Sequence, residues 1–168
     1  NRYPLFNDNS LQTAYYMEQT FVERLQNYED PRLFMMADKK PNASNLNVED
    51  FSAYGGLYGS APLSDNGSKA VSGEASRIKP RYYNNPVNEP SILMSYAELQ
   101  FTLAEAAARG WISEPSEPYY KSGIAASLAF YGISQAEDYL NNPTIQLNSN
   151  EDLESILTQN SQIAEKFS

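Results

Sequence analysis

Two carboxylates on one predicted helix are the first candidates for chemistry in this sequence. Glu98 and Glu105 lie seven residues apart, which in an α-helix is two turns and about 10.5 Å along the axis. A retaining glycosidase needs carboxyl groups about 5–5.5 Å apart, so the spacing does not suit that reaction. Glu105 also lies four residues before Arg109, where the two side chains can pair on a helix surface. We predict structural roles for both carboxylates and no enzymatic activity.

The composition removes most other catalytic classes. The 168-residue chain has no cysteine and no histidine, which excludes thiolate zinc sites, cysteine nucleophiles and serine–histidine–aspartate triads within it. Twelve basic against 21 acidic residues give a formal charge of −9, and an acidic surface repels nucleic-acid phosphates. No apolar run approaches the roughly 20 residues of a membrane span. We expect no cofactor, no metal and no nucleic-acid partner.

Tyrosine is the residue type in excess, with 13 copies against 7 Phe and 1 Trp. Four of these tyrosines fall in one region, from Pro31 to Pro90, that has no sustained hydrophobic period: Tyr54, Tyr58, Tyr82 and Tyr83. Disordered segments are depleted in aromatic residues. We therefore predict an ordered, loop-rich insertion over residues 31–90.

Helical patterns flank this insertion. Ser10–Tyr28 repeats apolar residues at helical spacing, with Ser10 as its N-cap. After the insertion, residues 91–131 hold two helical segments around a short turn, which predicts an antiparallel αα-hairpin. A short helix over 134–141 and a last helix over 149–168 complete the pattern. The fold class is mainly α, with one long loop-rich insertion.

Three local patterns carry further expectations. The first hairpin helix, Ser91–Gly110, is apolar on two sides, which predicts neighbours on both. Trp111 follows the glycine that ends this helix, and we predict that it packs at the hairpin turn. Within the insertion, Asp65-Asn66-Gly67-Ser68 begins like a calcium loop but lacks the later oxygen ligands, and so predicts a turn.

The hairpin resembles the signature segment of the SusD/RagB family. The similarity covers SYAELQFTLAEAAARGW over residues 95–111 and YYKSGIAASLAFYG over residues 119–132. Further similar segments are Asp30-Pro31-Arg32-Leu33, the glycine-rich stretch from Tyr54 to Gly59, and Ile156-Leu157-Thr158-Gln159. The resemblance implies that residues 1–168 are the later part of one SusD-like domain, and we expect a longer parent chain.

The resemblance also implies a fold and a function. The fold would be a tetratricopeptide-like helical bundle with a loop-rich, ligand-facing region. The protein would bind oligosaccharides at the bacterial cell surface, without cleaving them, and deliver them to a SusC-like TonB-dependent transporter of the outer membrane. It would be attached to the membrane only through a lipid anchor that lies outside this chain. Two alternatives stay open: a peptide-binding uptake lipoprotein of the RagB type, and a helical-repeat interaction scaffold without a small ligand.

The tyrosines of the insertion suit such a neutral ligand. A tyrosine ring covers the C–H face of a sugar while its hydroxyl donates or accepts at the edge. Neighbouring amides such as Asn84, Asn85 and Asn88 could pair with adjacent sugar hydroxyls. The predicted ligand-binding residues are Tyr54, Tyr58, Tyr82 and Tyr83. The alternative is that these rings pack the insertion onto the helices.

Overall fold

Helices form the regular secondary structure of the residues that the computed structural model describes, 15–83 and 89–147. Isolated backbone bridges occur within these ranges, but no β-strand does. The mainly α fold class is therefore confirmed. The chain divides into two compact units, Asn1–Ser91 and Ile92–Ser168, so its assignment to a single domain stays a prediction. The predicted helix over 149–168 lies outside the described residues.

The first described helix, α1, spans Gln19–Asn27 and does not begin at Ser10 as predicted. Residues 15–18 are extended, because Met17 donates its backbone N–H to Ser76 O at 2.9 Å; residues 10–14 lie outside the described part. Glu18 is the N-cap, since its carboxylate accepts the backbone N–H of Phe21 at 2.9 Å.

A buried ion pair follows α1 and connects it to the short helix α2, Leu33–Met36. Asp30 and Arg32 are 0% and 2% exposed. Oδ1 of Asp30 accepts the backbone N–H of Arg32 at 3.1 Å and its Nε at 2.8 Å, while Nη2 contacts the other carboxylate oxygen. Both backbone and side chain of Arg32 are thus fixed by one carboxylate.

The predicted insertion contains more helix than its sequence suggested. Three 3₁₀ helices, Pro41–Ala43, Phe51–Ala53 and Pro80–Tyr82, accompany a nine-residue α-helix, α3, over Leu63–Val71. The prediction of a turn at residues 65–68 is wrong, because these residues lie inside α3. This helix buries none of its side chains. Asn, Ser, Gly and Asp favour turns over helix interiors, so the local sequence does not predict α3.

The second unit is built on a helical hairpin, in agreement with the pattern of residues 91–131. It consists of α4, Tyr96–Ala108, and α5, Ser116–Phe130, followed by the short α6, Ala136–Leu140. Helix α4 begins five residues after the predicted Ser91 because Ser95 and Glu98 form a capping box. Glu98 donates its N–H to Ser95 Oγ at 3.0 Å, and Glu98 Oε2 accepts the N–H of Ser95 at 3.4 Å.

Only one of the two predicted apolar sides of α4 is buried. Ala97, Phe101 and Ala104 form the buried side, whereas Tyr96 and Leu99 are 63% and 39% exposed. The expectation of neighbours on both sides is therefore wrong for the described residues, because α5 packs against one face of α4, whereas α6 packs against α5.

Helices α4 and α5 approach closely where an aromatic ring meets a glycine. The Phe101 ring lies so near Gly123 that a Cβ atom placed there would be 2.7 Å from the ring. The same ring stands 6.1 Å from that of Tyr120, whose hydroxyl donates to Ile145 O at 2.7 Å. The glycine therefore sets the distance between the two helices at the centre of this core.

The two helical glycines predict opposite effects of the same substitution. Gly123→Ala forces Phe101 or the helix backbone to move, and we expect a loss of about 1–3 kcal/mol in the free energy of unfolding. Gly67→Ala, in α3, meets no atom within 4 Å, so it raises helix propensity and adds about 0.5–1 kcal/mol. Urea unfolding followed by circular dichroism measures both; equal shifts in the same direction would contradict the packing at Gly123.

Candidate functional site

The surface around Tyr58 is positioned by two consecutive glycines. A Cβ atom at Gly56 would lie 2.7 Å from the backbone of residues 17–19, and one at Gly55 would lie 2.7 Å from Glu74 O. Without side chains here, the segment runs directly beside the residues that lead into α1. Leu57 donates to Met17 O at 2.9 Å, and Gln19 donates to Leu57 O at 3.0 Å. This pairing fixes where the next residue, Tyr58, leaves the backbone.

The side chain of Tyr58 belongs to a polar cluster that joins α1 and α3. Its hydroxyl donates to Glu23 Oε1 at 2.7 Å, and Gln19 Nε2 donates to the same oxygen at 2.8 Å. From α3, Asn66 Nδ2 donates to Tyr58 O at 2.8 Å, and Lys69 Nζ lies 5.5 Å from the centroid of the Tyr58 ring. Tyr58 is 37% exposed; Glu23 holds the end of its side chain, Lys69 lies beside its ring, and Asn66 fixes its backbone carbonyl.

These contacts shift the proton equilibria of the cluster. The hydrogen bonds from Tyr58 and Gln19 favour the carboxylate and lower the pKa of Glu23. The same bond to Glu23 raises the pKa of Tyr58, because it stabilises the protonated phenol. The stabilisation linked to Glu23 is therefore present at neutral pH and is lost as the pH falls through the lowered pKa.

Tyr82 is the second predicted tyrosine that reaches the surface. It is half-buried and ends the 3₁₀ helix Pro80–Tyr82. The guanidinium carbon of Arg81 lies 5.5 Å from the centroid of the Tyr82 ring, and Arg81 Nη2 is bonded to Glu89 Oε2 at 3.1 Å. Tyr58 and Tyr82 are thus placed by two separate sets of neighbours.

The other two predicted tyrosines are buried. Tyr54 is 2% exposed, its ring lies 5.5 Å from that of Phe34, and its hydroxyl donates to Val48 O at 2.8 Å. Burial raises the pKa of Tyr54 to about 12. Tyr83 is 8% exposed, and its pKa is also raised by burial. Neither ring offers a face to a ligand. The amides Asn84, Asn85 and Asn88 lie outside the described residues.

The carboxylates of α4 both make structural contacts, and that of Glu105 is the pair with Arg109 that its spacing predicts. Glu98 belongs to the capping box, and Glu105 Oε1 accepts Arg109 Nε at 2.8 Å. Among residues 15–83 and 89–147, no group of three or more acidic, histidine or cysteine side chains is placed to hold a metal ion. Nor does any helix in these ranges have the length and apolarity to cross a membrane.

Trp111 is not the packing residue that its position predicted, because it is 72% exposed. Its backbone continues the cap of α4, whereas its side chain would have to pack against Ala106 and Glu105 to be covered at this helix end. An alanine and a charged residue give a large indole little apolar surface. The guanidinium carbon of Arg109 lies 5.2 Å from the centroid of the indole.

Sequence reasoning did not find the partners of Tyr58. Gln19 and Glu23 lie four residues apart on α1, and this spacing shows that they share a face. No sequence pattern near these residues shows that Tyr58, 35 residues after Glu23, contacts that face. The contact depends on the pairing of distant segments through Gly56.

A protein-family model described as starch-binding and associating with the outer membrane matches residues 1–162 of the chain. Among solved structures, the chain is similar to a Bacteroides vulgatus outer membrane protein whose description connects it with nutrient binding. The identity is 34%, the TM-score is 0.84, and the similarity covers 90% of this chain and 36% of that protein. No functionally curated protein matches the chain.

Two SusD homologues from Bacteroides fragilis are also similar. One is 34% identical with a TM-score of 0.84 and covers 99% of this chain; the other is 30% identical with a TM-score of 0.79 and covers 98%. The chain spans 39% of the length of each. A chitin-binding protein, 24% identical with a TM-score of 0.63 over 90% of this chain and 35% of its own, shares the fold. The predicted tetratricopeptide-like helical fold is thereby confirmed.

Removing one hydroxyl tests the cluster around Tyr58. In Tyr58→Phe, Glu23 loses a hydrogen bond to its charged form, and we expect its pKa to rise towards the ordinary glutamate value. Carboxyl ¹³C chemical shifts followed by NMR across a pH titration measure this change. Tyr82→Phe is the matched control and should leave the titration of Glu23 where it is. An unchanged pKa in Tyr58→Phe would show that the bond is absent in solution.

Proposed function

Since the chain belongs to the SusD-like family of starch-binding proteins associated with the outer membrane, we propose that it binds oligosaccharides at the bacterial cell surface without cleaving them. The observation that carries the ligand-binding part is the partly exposed ring of Tyr58: its hydroxyl donates to Glu23 on α1, while glycine packing and the bond from Asn66 on α3 fix its backbone. A ring fixed before binding loses little conformational entropy when a ligand covers it.

The chemistry of this surface suits an uncharged ligand. Glu23 and Lys69 occupy the edge of the Tyr58 ring and one side of it, so a sugar on the ring would find a carboxylate and an ammonium group for its hydroxyls. Charge-assisted hydrogen bonds of this kind are stronger than neutral ones. Tyr82, beside the Arg81–Glu89 pair, repeats the combination of a ring with a donor and an acceptor. We propose Tyr58 and Tyr82 as the sugar-contacting residues of the predicted four.

The proposal includes a place in nutrient uptake. The family resemblance supports a role in which the captured oligosaccharide passes to a SusC-like TonB-dependent transporter. It also supports a position on the outer face of the outer membrane, with a lipid anchor outside this chain. Members of this family act as binding proteins, in accord with the structural contacts of Glu98 and Glu105.

Affinity electrophoresis tests the binding directly. The protein migrates through native gels that contain amylopectin, xylan, galactomannan or glycol chitin, and we expect one of these polysaccharides to retard it. Tyr58→Ala and Tyr82→Ala should each weaken the retardation about tenfold, because loss of an aromatic contact costs about 1.4 kcal/mol.

Tyr96→Ala is the matched control, since Tyr96 is 63% exposed, belongs to the second compact unit and is not among the predicted ligand-binding residues. Retardation that persists unchanged in both Tyr58→Ala and Tyr82→Ala would contradict the assignment of the site to these residues. Migration unaffected by every polysaccharide would contradict glycan binding, and would favour the peptide-binding or the scaffold alternative.

A further inference from the structure

Trp111 stands on the turn between α4 and α5 and is the single tryptophan of the chain. It is 72% exposed, although tryptophan is highly buried on average in folded proteins. The side chain is therefore a large apolar surface that the described structure leaves uncovered.

The backbone of Trp111 is fixed by the end of α4. Gly110 has a φ of +71°, which is the left-handed conformation that glycine adopts without strain. Trp111 then donates its N–H to Ala106 O at 2.9 Å, and Gly110 donates to Ala107 O at 3.0 Å. These are the two bonds of a Schellman cap.

The end of α5 has the same cap, but there the apolar residue that follows the glycine is partly covered. Gly132, with a φ of +77°, and Ile133, which donates to Leu128 O at 3.0 Å, form the same arrangement. The residue whose carbonyl accepts the N–H of Ile133 is a leucine, and Ile133 is half-buried. The corresponding residue of α4 is Ala106, and the indole of Trp111 is exposed.

The orientation of the indole is supported by a chain of three side chains. Glu105 Oε1 accepts Arg109 Nε at 2.8 Å and Nη2 at 2.8 Å. The guanidinium group so held lies 5.2 Å from the centroid of the Trp111 ring, within the range of a cation–π contact. Because Arg109 lies over one face of the ring, the exposed area belongs mainly to the opposite face and the edges.

We propose that Trp111 is a second sugar-binding platform of this protein, with a pyranose ring stacked on the indole face opposite Arg109. The inference rests on the proposed function and adds a contact separate from Tyr58 and Tyr82. The C–H face of a sugar is apolar and suits an aromatic ring. A guanidinium has five N–H donors, and Arg109 uses two of them on Glu105, so donors remain at the rim for sugar hydroxyls.

The surroundings of Trp111 favour a sugar over a protein partner. The neighbouring turn residues Ser113, Glu114 and Pro115 are exposed, and Ser113 Oγ lies 3.4 Å from Glu114 Oε2. A hydroxyl and a carboxylate thus follow Trp111 along the turn, and a guanidinium lies over its ring. Protein–protein interfaces are enriched in Trp and Arg but depleted of Ser and Glu, and it is Ser113 and Glu114 that follow the ring here.

A single tryptophan makes the test direct, because selectively excited emission comes from Trp111 alone. Maltohexaose, xylohexaose, mannohexaose and chitohexaose are titrated into the protein. With the sugar class that retards it in gels, we expect a saturable shift of the emission to shorter wavelength and a loss of quenching by acrylamide. Trp111→Ala should weaken retardation about tenfold, Trp111→Phe should weaken it less, and Phe130→Ala should leave it unchanged.

The outcomes separate this inference from the proposed function. Retardation in gels without any change in Trp111 emission would overturn the platform and leave glycan binding intact. Neither retardation nor an emission change would overturn both. An emission change that persists in Tyr58→Ala would support Trp111 as a separate contact. Loss of binding to an immobilised SusC-like transporter in Trp111→Ala, with no emission change on any sugar, would assign the indole to a protein interface and overturn the proposal.

Discussion

The packing of both units depends on glycines at positions where a Cβ atom would clash with a neighbouring atom. In the first unit, Gly55 and Gly56 bring one segment against the backbone before α1 and against Glu74; in the second, Gly123 admits the ring of Phe101. Dense packing makes such positions intolerant of a single added methyl group. The candidate surface around Tyr58 depends on the same constraint, because the close approach of Gly56 fixes the backbone from which Tyr58 projects.

The ion pair between Asp30 and Arg32 has a different role. Buried ion pairs contribute little net stability, since desolvation offsets the attraction, but leaving one partner alone costs about 3–5 kcal/mol. The carboxylate of Asp30 also accepts the backbone N–H of Arg32, so the pair specifies one conformation of the turn between α1 and α2. It orders the chain at the point where α1, which bears Glu23 and Gln19, ends.

The sequence predicted the helices that carry their own signals. The hairpin follows from apolar spacing, and even its late start could be inferred from Ser95 and Glu98, which match a capping box. The start of α1 could not be inferred, because residues 15–18 bond to segments about 40 to 60 residues away and a local pattern contains no such information. Helix α3 was missed for the opposite reason, since its composition argues for a turn.

The four tyrosines show the same limit for the candidate site. Tyr54 and Tyr58 lie in one glycine-rich stretch and look equivalent in sequence, yet one is 2% exposed and the other 37%. The difference arises from Phe34, which covers Tyr54, and from the glycines between the two. Trp111 was predicted from its position after the glycine to pack at the turn, and the alanine and glutamate at the end of α4 leave it exposed.

Helix α3 has a dynamic consequence. It buries no side chain, and Leu63 and Val71 are 88% and 91% exposed, so little apolar contact opposes its local unfolding. Segments of this kind open with free energies far below that of global unfolding, and their amides exchange with solvent early. Because Asn66 and Lys69 belong to α3, each opening also releases Tyr58 on one side. Tyr58 is therefore fully held only in the fraction of molecules in which α3 is folded. A ligand that covers Tyr58 and favours this folded form would slow amide exchange in α3, even without touching the backbone of that helix.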